Sequence, residues 1–200
     1  NPNLMIIGVP KEIKPDEKRV SVLPHLVKTI VNLGHEVIVQ KGAGTGSGVN
    51  DSSYVSEGAS IAKNIEEVYK RSDIIVKVKE PLDSELSLIR KSQIIFTYFH
   101  FAADAKLTKK FLKTNAIAIA YETVENSDGS LPLLTPMSEI AGRMAIQNGA
   151  KYLEGTFGGK GKLLSGVPGV EPSTVTIIGG GVVGLNAAKL AAGLGAKVNV

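Results

Sequence analysis

Short apolar runs alternate with helical stretches along the first 120 residues, and this order constrains the fold more than any other feature. Apolar runs of strand length lie at 5–9, 36–40, 74–78, 94–97 and 116–120. Helical patterns lie between them, at 24–33, 65–70, 84–90 and 105–113, and most follow a capping Asn or Asp. Strand–helix–strand units connect right-handedly and build parallel sheets. The chain is therefore predicted to form an α/β fold with a doubly wound, mostly parallel sheet.

A glycine motif follows the apolar run 174–178. Gly179, Gly181 and Gly184 have the G-x-G-x-x-G spacing and open an Ala-rich helical stretch. In this context the first glycine permits a tight turn, the second lets backbone N–H groups reach a pyrophosphate, and the third lets helix and strand pack closely. The motif predicts a Rossmann dinucleotide site, with a structural glycine turn as the alternative. The acidic residue that would hold the ribose falls past Val200, so NAD and NADP are not distinguished.

A second glycine-rich segment, residues 42–48, also follows an apolar run. Its glycines alternate with other residues, and Ser47 and Val49 stand where the motif would need its last glycine. This segment is predicted to be a flexible connection and not a nucleotide site, with the next helix beginning near Asp51.

The glycine-dense stretch 155–169 marks the change between two parts of the chain. We expect a substrate or catalytic domain over residues 1–135, an inter-domain helix and Gly-rich linker over 136–173, and the first βαβ unit of a nucleotide-binding domain over 174–200. A single βαβ unit has nothing to pack against its second face. The second domain is therefore expected to be truncated, and the chain to be an N-terminal part of a longer protein.

Composition excludes several classes of protein and of site. The chain has no cysteine, which excludes thiolate catalysis, disulfides and cysteine zinc sites and fits a reducing compartment. No metal site is predicted. The net charge of +4 comes with lysines scattered over predicted helices, which is typical of solvated faces and not of nucleic-acid binding. No apolar run approaches the roughly 18–20 residues that span a bilayer, so no membrane partner is expected and a cytoplasmic protein is predicted.

Three cationic residues come to one edge of the predicted sheet. Lys79 ends the third apolar run, with Lys77 on the same face by strand alternation, and His100 follows the fourth run. Arg19 lies in the polar loop after the first run. Open α/β sheets bind ligands at the carboxyl ends of their strands. Arg19, Lys79 and His100 therefore predict a cationic cleft for a small carboxylate.

Each of these residues also has a structural alternative. A lysine at a strand end can be solvated or ion-paired to a neighbouring glutamate, and His100 can be a hydrogen-bonded structural histidine. His25 and His35 lie next to predicted helix ends and are expected to be surface or capping residues.

Seven short blocks of the sequence resemble signature blocks of the alanine dehydrogenase family, in the family's order and spacing. The blocks lie at 7–12, 17–20, 77–81, 99–100, 120–124, 136–139 and 166–170. A series of blocks in order is far more specific than any one of them.

The resemblance implies an activity and roles for particular residues. The family deaminates L-alanine oxidatively to pyruvate and ammonium, with NAD as the cofactor, and works as a homohexamer. By resemblance, Arg19 pairs with the substrate carboxylate, Lys79 contacts the substrate and takes part in catalysis, and His100 acts as acid or base. Ser138 is assigned to the cofactor site with the glycines. A later aspartate of the family's active site has no counterpart in these residues.

Two alternatives come with this resemblance. The NAD-binding subunit of proton-translocating transhydrogenase shares the opening blocks but passes hydride between two nucleotides and needs no amino-acid pocket. The presence of Lys79 and His100 together favours the deaminase. A third interpretation is an inactive truncated product that acts at most as a binding module, and the 200-residue chain alone is expected to be inactive.

Overall fold

The computed structural model describes residues 4–200, and in this part of the chain six strands form one parallel sheet. These strands are β1 (Ile6–Val9), β2 (Glu36–Gln40), β3 (Ser60–Ala62), β4 (Ile74–Lys79), β5 (Ile94–Tyr98) and β6 (Ile117–Ala120). Their order in the sheet is β3-β2-β1-β4-β5-β6, with every neighbouring pair parallel. The strand order reverses between β1 and β4, as in Rossmann-type doubly wound sheets. The predicted fold class is confirmed.

Helices cover both faces of this sheet. They are α1 (Pro24–Asn32), α2 (Asp51–Ser56), α3 (Ile65–Arg71), α4 (Asp83–Leu86) and α5 (Ala105–Leu112). The predicted caps of α3 and α5 are confirmed, since the Asn64 and Asp104 side chains accept hydrogen bonds from backbone N–H groups of the first turn. Among the helices within residues 4–200, none is long and apolar enough to cross a membrane.

The core around the six-stranded sheet consists of two apolar clusters, one on each side of the sheet. Alternate residues of β2 enter different clusters: Ile38 joins Tyr69 of α3 and Phe111 of α5, whereas Val37 joins the cluster that contains Tyr54 of α2. A strand buried on both faces needs a continuous apolar run, which is why β2 is so apolar in sequence.

Three sequence-based expectations differ from the fold. The helix predicted over 84–90 is the short α4, which ends at Leu86, and the Arg90 amide donates to Oε1 of Gln93 at 3.0 Å and not back along a helix. Strand β3 was not predicted. Residues 42–48 form a packed turn and not a flexible connection, since a Cβ on Gly46 would lie 2.4 Å from the carbonyl oxygen of Lys18.

The chain divides into two compact units between Val124 and Glu125. The second unit contains α6 (Thr135–Leu153), β7 (Thr174–Thr176), α7 (Val182–Gly193) and β8 (Lys197–Asn199), and β7 and β8 are parallel. Small residues let α6 and α7 approach closely, since a Cβ on Gly142 would lie 2.2 Å from the carbonyl oxygen of Val183.

This division differs from the one drawn from the sequence. The stretch 136–173, predicted as an inter-domain helix and linker, lies inside the second unit together with residues 125–135. Residues 1–3 of the predicted first domain lie outside the described residues. The functional division into 1–135, 136–173 and 174–200 stays a prediction.

Candidate functional site

The loop after β1 is fastened to the carboxyl half of β4. β1 pairs with β4 only through Ile7–Ile74 and Gly8–Ile75. Beyond that point, side chains of the loop form the hydrogen bonds to the β4 backbone. The Ser21 hydroxyl donates to the carbonyl of Val76 at 2.7 Å, and the Glu12 carboxylate accepts from the amide of Val78 at 2.6 Å. The loop that carries Arg19 is thereby held beside the strand end that carries Lys79.

Lys79 is the last residue of β4 and lies opposite Tyr98 of β5. The register between the two strands shifts between Val76 and Lys79, which marks a β-bulge. The Thr97 hydroxyl donates to the carbonyl oxygen of Lys79 at 2.9 Å. Within residues 4–200 the half-buried Lys79 ammonium forms no direct ion pair, although its charge acts on the carboxylates of Glu17 and Glu80. An ammonium in this position can bind a small anion.

Lys77 does not share the position of Lys79, contrary to the expectation from strand alternation. Its side chain is 1% exposed, and its Nζ lies 2.7 and 2.8 Å from the two carboxylate oxygens of Glu85. An oxygen of a second carboxylate, that of Glu12, lies 3.8 Å away. The bulge breaks the two-residue alternation, and the buried ion pair makes Lys77 unable to reach a ligand.

Arg19 is held by Glu17, two residues before it. Nε and Nη2 of the guanidinium donate to the two oxygens of Glu17 at 2.8 and 2.6 Å, and the Arg19 amide donates to the same carboxylate at 2.9 Å. The hydrogen bonds and charge of Arg19, with a smaller contribution from the charge of Lys79, lower the pKa of Glu17 to about 2 against the effect of burial. Glu17 in turn raises the pKa of Arg19, and Tyr98 acts in the same direction.

His100 follows β5 in an uncommon backbone conformation, with φ at +53°. Its amide donates to one oxygen of Glu122 at 2.6 Å, and the amide of Phe99 donates to the other oxygen at 3.3 Å. Phe99 is fully buried and stacks on Phe101, with ring centroids 4.3 Å apart. The chain is fixed on both sides of the turn, and His100 is left exposed.

Tyr98 connects Arg19, Lys79 and His100. It faces Lys79 across the strands, its ring centroid lies 6.1 Å from that of His100, and it interacts electrostatically with Arg19. Arg19, Lys79 and His100 therefore come together at the carboxyl edge of the sheet. His25 is exposed on α1 and the Nδ1 of His35 accepts from the Met5 amide, so neither belongs to this group.

Sequence reasoning did not single out Tyr98, Glu17 or Glu122 as site residues. Tyr98 could have been found by period-two spacing, because it precedes His100 by two positions on the same strand end. Glu17 and Glu122 carry no such signal, since a lone carboxylate in a loop is common. In the part of the chain that the structure describes, no group of three or more His, Asp or Glu side chains is arranged to hold a metal ion.

The second unit carries a separate candidate site at the start of α7. Gly179 has φ at +104°, and a Cβ on Gly184 would lie 1.9 Å from the carbonyl oxygen of Gly179. A Cβ on Gly181 would meet nothing within 4 Å, so the backbone there is open to a ligand. Ser138 of α6 and these three glycines line one cavity of about 570 Å³. Open amides at a helix N-terminus suit a phosphate group.

One expected result concerns the Glu17–Arg19 pair. A carboxyl whose folded pKa is depressed stabilises the protein above its ordinary pKa, here 4.5, and that stabilisation is lost as pH falls through about 2. We expect Glu17 to titrate near 2 by carboxyl NMR, and Arg19→Met to return its pKa toward 4.5. Titration of Glu17 near 4.5 in the unaltered protein would contradict this geometry.

Comparisons with known proteins cover nearly the whole chain. Residues 8–141 match the family described as alanine dehydrogenase/PNT, N-terminal domain, and residues 145–200 match its C-terminal domain. The alanine dehydrogenase of Methanococcus maripaludis is 57% identical over 98% of this chain and 52% of its own length. That of Bacillus subtilis is 54% identical over 98% of this chain and 51% of its own length. The chain thus spans about half the length of the curated relatives it matches.

Solved structures agree with these relatives. An L-alanine dehydrogenase superposes with a TM-score of 0.88 at 53% identity, over 96% of this chain and 53% of that one. A transhydrogenase from Sinorhizobium meliloti superposes with a TM-score of 0.79 at 26% identity, over 96% of this chain and 57% of that one. The backbone is therefore similar to both proteins over almost all of this chain, and half of the residues are identical to those of the L-alanine dehydrogenase.

Proposed function

Because the chain belongs to the alanine dehydrogenase/PNT family, as the signature blocks predicted, we propose that the full-length protein oxidises L-alanine to pyruvate and ammonium and reduces NAD. The observation that carries the proposal is the convergence of Arg19, Lys79 and His100 around Tyr98. A small amino acid or 2-oxo acid has one carboxylate and one reacting carbon, and this group offers a partner for each.

In this proposal Arg19 binds the substrate carboxylate. A guanidinium presents paired N–H donors that match the two oxygens of a carboxylate. Glu17 already takes Nε and Nη2, which fixes the plane of the guanidinium before substrate arrives. An arginine that is fixed in advance loses less conformational freedom on binding.

His100 and Lys79 act on the reacting carbon. Hydride leaves Cα most readily when the amine is neutral, so a base that titrates near pH 7 is needed, and histidine is such a base. Loss of hydride gives an iminium, water adds to that carbon, and the C–N bond then breaks to release ammonia and pyruvate. His100 exchanges the protons of these steps, and the Lys79 ammonium stabilises negative charge on the forming carbonyl oxygen.

The open backbone at Gly181 and the cavity that it shares with Ser138 fit a dinucleotide. Amides at the start of α7 would hold the pyrophosphate, and Ser138 would contact the same cofactor. NAD, when bound, supplies the hydride acceptor. As part of the same proposal, the full-length protein works as a homo-oligomer in the cytoplasm.

Gly184→Ala tests the dinucleotide site. The new methyl group has no room beside the carbonyl of Gly179, so the loop must move away from α7. We expect NADH to bind the full-length variant about ten-fold more weakly or worse, a loss of at least about 1.4 kcal/mol. Gly193→Ala is the matched control, because it lies in the same helix and its Cβ would meet nothing within 4 Å. Equal NADH affinity of both variants would argue against the site.

The activity itself is tested on the full-length protein with two assays in parallel. One follows NAD reduction with L-alanine, and the other follows hydride exchange between reduced and oxidised nucleotides without any amino acid. The proposal predicts turnover in the first assay and the release of pyruvate and ammonium. Turnover in the second assay alone would favour the transhydrogenase alternative, which the Sinorhizobium meliloti structure keeps relevant.

A further inference from the structure

A cluster of buried charged residues lies next to the backbone of Lys79. Lys77 and Glu85 form a short ion pair with side chains 1% and 0% exposed, and Glu12 lies beside them with its side chain 3% exposed. The hydroxyl of Tyr69 donates to Glu85 at 3.3 Å. Burying charges costs free energy even when they are paired, so such a cluster is a poor source of stability. Its contacts with the backbone indicate another role.

Within this cluster, Glu12 is hydrogen-bonded to the backbone at the carboxyl end of β4. One of its oxygens accepts from the amide of Val78 at 2.6 Å, and the other lies 3.4 Å from the amide of Lys79. These amides sit at the bulge of β4, past the last pairing with β1. On the other side, the carbonyl of Lys79 accepts from the Thr97 hydroxyl. Both backbone polar groups of Lys79 are therefore held by side chains from outside its strand.

The charge of Lys77 helps to keep Glu12 in the ionised form that accepts these two hydrogen bonds. Burial raises the pKa of Glu12, whereas the charge of Lys77 and the hydrogen bond from Val78 act in the opposite direction. A carboxylate accepts at both oxygens, but a neutral carboxyl or an amide group carries donors of its own. An ionised Glu12 is thus the form that can serve two adjacent backbone amides.

We propose that Glu12 is a positioning residue. By accepting hydrogen bonds from the amides of Val78 and Lys79, it fixes the bulge of β4 and so orients the Lys79 ammonium toward the substrate. Lys77 holds Glu12 in place, and the Thr97 hydroxyl fixes the bulge from the other side through its hydrogen bond to the Lys79 carbonyl. The inference rests on the proposed function, because it takes Lys79 as a substrate contact. Displacement of a binding group by about 1 Å can cost roughly 100-fold in rate, so the bulge need move only slightly.

The test is a double-mutant cycle in the full-length protein, with pyruvate affinity measured by calorimetry in the presence of NADH. Glu12→Gln is expected to weaken pyruvate binding about ten-fold, because glutamine can accept at one oxygen only. In a Lys79→Met background the same change is expected to have no further effect. An equal loss in both backgrounds would show that Glu12 does not act through Lys79 and would overturn the proposal.

Two further variants keep the cycle interpretable. Tyr69→Phe removes a hydroxyl from the same cluster without touching Val78 or Lys79, and it should leave pyruvate affinity within about two-fold. If Glu12→Gln does not fold, Thr97→Val takes its place in the cycle, since it removes the donor to the Lys79 carbonyl. A Tyr69→Phe loss as large as that of Glu12→Gln would overturn the proposal.

Hydrogen exchange separates failure of this inference from failure of the proposed function. If the unaltered protein binds no pyruvate, the proposed function is wrong. The exchange rates of the Val78 and Lys79 amides still show whether Glu12 holds these two amides. We expect both amides to exchange at least about ten-fold faster in Glu12→Gln. Unchanged exchange of both amides would contradict the positioning role of Glu12, whatever the protein binds.

Discussion

Replacing His100 with alanine in the full-length protein is expected to lower kcat for L-alanine-dependent NAD reduction by about a thousand-fold. A positioned acid–base group contributes typically about 100- to 10,000-fold to a rate, and no other histidine belongs to the group around Tyr98 in the described residues. Pyruvate affinity should change far less, since Arg19 and Lys79 remain. The measurement is steady-state kinetics of the variant and of His25→Ala, a control at an exposed histidine on α1.

His100 also has a backbone role that alanine would disturb, because its φ is +53°. Asparagine adopts this left-handed conformation readily but has no titratable ring. His100→Asn should therefore keep the hydrogen bonds of the Phe99 and His100 amides to Glu122 and still be as slow as His100→Ala. Near-normal turnover in His100→Asn would show that the imidazole is not the acid–base group.

Replacing Lys77 with methionine should give the largest loss of stability. The change leaves the carboxylates of Glu12 and Glu85 buried without their cation. Breaking a buried pair from one side typically costs about 3–5 kcal/mol of unfolding free energy. Urea unfolding at neutral pH measures the loss, and Lys70→Met, which removes an exposed lysine from α3, should cost within about 0.5 kcal/mol.

The pH dependence of this loss follows from the same charges. Without Lys77, the folded-state pKa of Glu12 rises further, so the folded variant takes up protons at higher pH than the unfolded chain does. The penalty is therefore full above the folded pKa and shrinks as pH falls through it. A loss as small as that of Lys70→Met, or one that grows as pH falls, would contradict the account of the buried cluster.

The strands were predictable because their apolar residues are nearly continuous in sequence. β2 has the predicted bounds, and the other long strands differ from prediction by a residue or two at their ends. The short α4 was not predictable from periodicity, because the Arg90 amide donates to the Gln93 side chain, which is itself held by the carbonyls of Tyr69 and Ser72, far away in sequence. β3 spans only Ser60–Ala62, too few residues for a periodic signal.

The site was predictable only in part, for a similar reason. Arg19, Lys79 and His100 follow from the rule that ligands bind at the carboxyl ends of parallel strands. Their supports do not, because Glu12 meets Val78 and Glu122 meets His100 only after the sheet has formed. Strand alternation also gave a wrong position for Lys77, since the bulge in β4 is set by these same tertiary contacts.

The most direct test of the central claim follows hydride from the substrate. The full-length protein is incubated with NAD and with L-alanine deuterated at Cα, and the nucleotide and keto acid are analysed by mass spectrometry. Direct hydride transfer at the site around Tyr98 predicts deuterium in the reduced nucleotide and unlabelled pyruvate in equal amount. Reduction of NAD without deuterium, or no reduction of NAD by L-alanine, would contradict the account.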